Sequence, residues 1–414
     1  MLGVDLRRRY SNRHKDPSNA CHFWRLTFLT TNPINFSDFN PTTNGIYELE
    51  AFSKSAFNAY LRQLGCGTSD GGIVVHGLVH GNQTEKEAQE LAFSFLYKSG
   101  LVEKDINNGT EATNCSYLSP HVSRIVCLPS DISINIRMPT ENSKEKNSVI
   151  EVYFQGSGNN VAHCPWNKEL AIARVLNSLL DEPCFDTLRT KEQLGYTVEC
   201  SYKFTAGVVG FFFSIISSTH TTVYLEERIE YFINCCATYF RMMSEEEYIK
   251  RRKALHTSLS VPHTNLDESA DELFSAITER HFCFSSEAKI AESVLSVSKD
   301  QMLEWFEKYV LNEGRKKLVV CVDCNKKDGN EIEKKEIDES SSDGSSCESE
   351  GSGSESEDSA NDSDENDAVF PINDPHIKNL DSWKSVAVVE LTTNDVASYK
   401  ATLELLPKHN VGTV

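Results

Sequence analysis

LRTKEQLGYTVECSYKF, residues Leu188 to Phe204, joins two kinds of local order. Leu188 to Gln193 is a charged, helix-forming run that stops at Leu194-Gly195. From Tyr196 the chain turns to residues that favour strands. The break leaves Arg189 and Tyr196 seven residues apart, on either side of a glycine.

The same alternation extends outward. Upstream, Val149 to Gln155 sets Ile150, Val152 and Phe154 opposite Glu151 and Tyr153, which predicts a half-buried antiparallel strand. Pro165 to Asp181 carries Leu170, Ala173, Leu176 and Leu180 on a helical stripe. Pro183 suits the first turn of a separate helix reaching about Gln193. Downstream, Tyr196–Phe204 and Val208–Ser217 form a predicted hairpin across Thr205-Ala206-Gly207. A long helix follows, with Leu225, Ile229, Phe232, Cys236, Tyr239 and Met243 on one stripe. Ser244-x-x-Glu247, Asn265-x-x-Glu268 and Ser298-x-x-Gln301 each announce a further helix, and Lys316 to Cys324 reads as a closing strand. Nearer the N-terminus, a helix is predicted over Tyr47–Leu64 and a strand over Ile73–Val79. Gly81-Asn82 then turns the chain, and a capping box of Thr84 and Glu87 opens another helix.

These elements predict an α+β fold: an antiparallel sheet with helices on one face. Residues 1–46 resist placement, although HFWRLTF (His22 to Phe28) has the composition of a buried segment. Residues 47–118 read as the end of one unit and a polar linker, and 119–324 as a complete one. Residues 325–368 are Ser, Asp, Glu and Gly of low complexity, a predicted disordered insertion. Residues 369–414 regain apolar character and are expected to dock back on the core.

Net charge is −20, of which 13 units fall between Glu336 and Asp367, a stretch without Lys or Arg; the remaining −7 is ordinary. An acidic chain speaks against nucleic acid as a partner. The acidic arm itself suits basic partners, or it is a solvated surface insertion. Thirteen cysteines, an odd number, include the adjacent Cys235-Cys236 in a helical pattern. They read as buried free thiols of a reducing, cytoplasmic setting rather than a disulfide framework. No run of 18 apolar residues occurs, so no membrane partner is expected. The basic N-terminus lacks the apolar core of a secretory signal.

Catalytic motifs are sparse. His76 and His80 have a helical zinc spacing but fall on a predicted strand, where four residues separate them by roughly 13 Å. Cys321-x-x-Cys324 lacks a second pair. Neither His-Glu-x-x-His nor His-x-x-Glu-His occurs, and no nucleophile elbow or phosphate loop does. No metal or cofactor site is therefore assigned to this sequence. Arg189 and Tyr196 remain. Arg189 offers five donors in a fixed fork and Tyr196 a phenol on a rigid arm. Both could meet the carbonyl oxygens of an extended peptide. Equally, Arg189 could pair with Glu192 while Tyr196 stays an edge aromatic.

EPCFDTLRTKEQLGYTVECSY (182–202), VHGLVHGNQTEKEA (75–88), IEVYFQ (150–155) and ATLELLPKH (401–409) together resemble the C-terminal half of the insulin-degrading enzyme and nardilysin family, pitrilysin-type metallopeptidases. LELLPKH and TAGVVGF lean towards the nardilysin branch. The resemblance implies four related α+β domains whose two halves enclose a chamber for peptides. It makes residues 47–118 the end of the third domain and 119–324 the fourth. It places zinc on a His-x-x-Glu-His of the N-terminal half, outside this sequence, and assigns substrate binding and transition-state stabilisation to Arg189 and Tyr196. The expected function is the non-zinc half of a nardilysin-like endopeptidase, inactive alone, with peptides and an N-terminal zinc-bearing half as partners. The alternative is a non-catalytic peptide-binding or scaffolding protein that holds basic partners with its acidic arm.

Overall fold

A computed structural model of the chain describes residues 15–31, 77–98, 124–140, 142–157, 168–205, 207–278, 283–324, 370 and 386–406. The helix expected over 47–64, the linker at 103–119 and the acidic run at 325–368 lie outside them. Of the strand expected over 73–79, residues 77–79 are described and belong to no strand.

Strand β2 (Ser148–Gln155) has no solvent face: all eight of its residues are buried. It is one of the central strands of a six-stranded sheet ordered β3–β4–β2–β5–β1–β6. The others are β1 (Ile132–Pro139), β3 (Thr197–Thr205), β4 (Val208–Ser217), β5 (Lys316–Asp323) and β6 (Ala387–Leu391). The hairpin β3–β4, turned at Gly207 with φ +85°, and the pairs β4–β2 and β2–β5 are antiparallel. β1 instead runs parallel to both neighbours, with Ile136 opposite Val320 and Leu391. The sheet is therefore mixed, not antiparallel throughout. Alternation reports which face a side chain takes but not strand direction, and parallel partners must come from distant segments.

A second correction concerns the helices, which cover both faces. On one face Ile150, Val152, Phe154, Phe211, Phe213, Ile215 and Val319 form a large core. It is completed by α3 (Lys168–Cys184), α4 (Thr222–Met242), α5 (Glu245–Leu259), α7 (Ser286–Leu295) and α8 (Lys299–Phe306). On the other face Val149, Tyr153, Phe212, Leu318, Val320 and Ile134 pack against Cys21, Phe28 and Leu29 of α1 (Pro17–Leu29), and against Val396 of α9 (Val396–Lys400). Each fully buried Leu, Ile or Phe contributes roughly 1.5–3 kcal/mol. Local signals start α1: Asp16 caps it by accepting from the Ser18 and Asn19 amides, and Pro17 fills its first position. At its other end, Lys400 of α9 donates to the Thr27 and Thr30 carbonyls.

Sandwiching β2 explains its charged residue. Glu151 faces α1 and meets Arg25 at 2.8 Å, the two side chains being only 6 % and 1 % exposed. The guanidinium also lies over the rings of Tyr153 and Phe212, at 6.0 and 5.7 Å. On the opposite face, Glu230 of α4 accepts from Arg315 and Lys317 at 2.6 and 2.7 Å, and Lys317 also reaches Glu226. Burial opposes the Glu230 charge, yet Lys317 and Arg315 outweigh it and hold its carboxyl below the usual range.

The anticipated helix starts are present. Thr84 and Glu87 exchange hydrogen bonds at the head of α2 (Glu85–Lys98). Ser244 caps α5, Asn265 accepts from the Glu268 amide at the head of α6 (Leu266–Thr278), and Ser298 forms a full capping box on α8. Pro183 differs from expectation: it starts nothing. α3 runs through it to Cys184 and widens into π-helical turns over Phe185–Lys191. Proline lacks the amide proton of a regular helix, and a wider turn re-registers the bonds that follow. Thus the Glu192 amide reaches the Thr187 carbonyl, five residues back, at 2.9 Å.

The π turns end in a sharp break. Gln193 takes φ +52°, a left-handed conformation unusual for a residue with a side chain. The Leu194 amide bonds the Leu188 carbonyl at 3.0 Å, and the Leu194 side chain is buried. Gly195 then lies flat against β4: a Cβ there would sit 2.2 Å from the Ile216 carbonyl oxygen.

Two predictions follow from this packing. Arg25→Ala strands Glu151 as an unpaired buried charge and is expected to cost about 3–5 kcal/mol. The readout is a lowered urea midpoint at unchanged slope. Adding Glu151→Gln to that variant restores part of the loss. Gly195→Ala forces the break away from β4 and is expected to cost about 1–3 kcal/mol, read as a lower unfolding temperature, because the clash is with backbone that cannot swing aside.

Candidate functional site

The π turns sort their side chains. Thr187 and Leu188 point into the core, while Arg189 stays exposed with its guanidinium 4.7 Å from the Phe185 ring. Arg189 does not pair with Glu192. That carboxylate is taken by Arg228 of α4, which donates to both of its oxygens at 2.6 and 2.7 Å. Asp186 pairs with Lys191 at 2.6 Å. Beyond the Gly195 contact, Tyr196 is 57 % exposed, one residue before edge strand β3 begins opposite Ile216.

Arg189 and Tyr196 thus flank the same break, each on its exposed side. Among the described residues neither the Tyr196 hydroxyl nor the Arg189 guanidinium has a hydrogen-bond partner. Two strong donors are left facing solvent on a segment whose backbone is fixed from behind. Such an arrangement can accept the carbonyl oxygens of a ligand.

Sequence reasoning missed two neighbours. Arg228 removes Glu192 from competition for Arg189, and its own proton is held more tightly by the hydrogen bond to that carboxylate. His220, in the loop between β4 and α4, places Nδ1 3.2 Å from the Leu194 carbonyl oxygen. No motif links these residues to the break, since 36 and 26 positions of sequence separate them from Glu192 and Leu194.

His80 lies in an exposed, irregular stretch, and His76 is outside the described residues. Cys321 is buried on β5, its thiol pushed up to about 12, chiefly by burial, while Cys324 is half-buried. Among the described residues no group of three His, Cys, Asp or Glu side chains could hold a metal ion. Six of the described cysteines are buried and all are free thiols. No described helix is long and apolar enough to cross a membrane.

Comparison with known proteins bears on the family and the fold. Residues 175–274, which hold the π turns, the break, the hairpin and α4, match a family described as PQQ synthase PqqF-like, C-terminal lobe domain 4. The A-factor-processing enzyme of Saccharomyces cerevisiae is 31 % identical over 299 residues, covering 72 % of this chain and 26 % of that protein. A nardilysin-like protein of Arabidopsis thaliana is 26 % identical over 309 residues, covering 75 % of this chain and 28 % of that one. This chain thus spans about a quarter of the length of these relatives. The crystal structure of pitrilysin shares the fold, with a TM-score of 0.62 at 14 % identity, over 98 % of this chain and 34 % of the other. With relatives named nardilysin, A-factor-processing enzyme and insulin-degrading enzyme, and with the fold of pitrilysin, the chain belongs to the pitrilysin-type peptidase family.

Proposed function

We propose that this chain belongs to the non-zinc C-terminal half of a nardilysin-like endopeptidase, closing a peptide chamber on which Arg189 and Tyr196 open. The observation that carries the reading is the pair of exposed donors, without a hydrogen-bond partner among the described residues, that flank the break within the segment matching a C-terminal lobe domain. Arg189 grips a backbone carbonyl of an extended peptide with its fork, and Phe185 beneath it limits the directions the guanidinium can take. Tyr196 donates its phenolic proton to the scissile carbonyl, a bond that strengthens as charge builds on that oxygen. Zinc, in such an enzyme, sits on the other half and supplies an activated water. This chain's residues bind and orient the peptide. The buried free thiols favour a reducing compartment, and the cytoplasm is the location that fits them.

The test is reconstitution with a zinc-bearing N-terminal half supplied as a separate chain. Tyr196→Phe is expected to lower kcat by about 10²–10³-fold with little change in KM, as for other oxyanion donors. Arg189→Ala is expected to raise KM roughly tenfold, since a charged hydrogen bond to a carbonyl is worth about 1.5 kcal/mol or more. Unchanged turnover in the phenylalanine variant would remove Tyr196 from this role.

A further inference from the structure

The break is held at four points, and one of them comes from outside it. The Leu194 amide is bonded to Leu188, the Leu194 side chain is buried, and Gly195 lies against Ile216. The tilt of the peptide plane between Leu194 and Gly195 is a further coordinate, and glycine, which tolerates a wide range of φ, does not set it by itself. Tyr196 follows that glycine and precedes Thr197, which is held in the sheet opposite Ile216, so the plane is one of the two sides from which the Tyr196 backbone is set.

His220 acts on that plane. Its Nδ1 lies 3.2 Å from the Leu194 carbonyl oxygen, 2.9 Å from Thr219 Oγ1 and 3.4 Å from Ser217 Oγ. A carbonyl oxygen only accepts, whereas the Thr219 and Ser217 hydroxyls can donate or accept, so the contact with Leu194 is a hydrogen bond in the form that carries the proton on Nδ1. The ring is held in turn. It stacks on Tyr224 with centroids 5.2 Å apart and planes 19° from parallel. The backbone amides of Thr219 and His220 both donate to Ser217 Oγ, at 3.3 and 3.0 Å, and Ser217 is fully buried at the end of β4. Thr221 then caps α4 by accepting from the Tyr224 amide. The imidazole is thus mounted on the β4–α4 corner and aimed at the carbonyl one residue before Gly195-Tyr196.

We propose that His220 is a positioning residue: by donating from Nδ1 to the Leu194 carbonyl it locks the peptide plane that glycine leaves loose, and so aims Tyr196. Its effect on peptide handling rests on the proposed role of Tyr196; its effect on the orientation of Tyr196 does not.

The experiment separates the two. In the intact chain labelled with ¹⁵N-histidine, the His220 ring should show a protonated Nδ1 and a bare Nε2. With 3-fluorotyrosine incorporated, the ¹⁹F resonance of Tyr196, assigned by its loss in Tyr196→Phe, should shift and broaden in His220→Ala. It should return to its original position in His220→Asn, whose amide can replace the Nδ1 donor. An unfolding midpoint within a few degrees of the parent shows that the alanine variant is folded. In the reconstituted enzyme, His220→Ala should lower kcat about tenfold at nearly unchanged KM, and His220→Asn should recover to within about threefold. A bare Nδ1, or a Tyr196 resonance indifferent to His220→Ala, overturns the proposal. If the resonance moves while kcat does not, the positioning stands and the catalytic role of Tyr196 falls.

Discussion

The sheet has no solvent face at its centre, and much else in the molecule answers to that. Once β2 and β5 are covered by α3, α4 and α8 on one side and by α1 on the other, every polar side chain they carry must find a partner indoors. Glu151 finds Arg25, and Lys317 finds Glu226 and Glu230. Such pairs add little net stability, since desolvation consumes most of the Coulomb gain. What they fix is placement. α1 comes from more than a hundred residues upstream of β2, and the one position from which Arg25 can reach Glu151 sets how that helix lies across the strands. α4 is pinned by Arg315 and Lys317 in the same way.

That rigidity passes to the site through continuous backbone. α3 is packed along its length and runs without a break through Pro183 into the π turns, so Arg189 sits at the end of a helix rather than on a loop. The hairpin β3–β4 is fully paired, with Thr197 opposite Ile216, so the first residue after Tyr196 is already part of the sheet. Three residues, Gln193 to Gly195, absorb the whole change of direction. A left-handed glutamine and a glycine without room for a Cβ are the local cost of so short a junction.

What the sequence disclosed and what it hid divide by distance along the chain. The caps at Thr84, Ser244, Asn265 and Ser298 were legible because donor and acceptor lie three residues apart. The β3–β4 hairpin was legible because its turn is short. The parallel pairing of β1 was not, since its partners start about 180 and 250 residues downstream and alternation looks the same in either direction. Burial of both faces of β2 is hidden in the sequence because Glu151 and Tyr153 look like solvent-facing residues until Arg25 arrives. Pro183 suits a helix start in the sequence, and a π continuation leaves no local signature to say otherwise. In the site, Arg189 and Tyr196 were marked by the resemblance rather than by spacing. The nearby carboxylate of Glu192, three residues from Arg189, suggested a local pair that Arg228 pre-empts from another helix.

The chemistry left over at the break is one-sided. A guanidinium has five donors and no acceptor, and a phenol meeting a carbonyl can only donate. The acids on the same segment do not redress the balance: Asp186 is engaged by Lys191 and Glu192 by Arg228. The ligand that satisfies such a surface must present acceptors along its length while asking for little from its side chains. An extended peptide backbone does this with one carbonyl per residue, whatever its sequence. A surface built so can hold many extended chains alike, and choice among them then has to come from contacts made elsewhere.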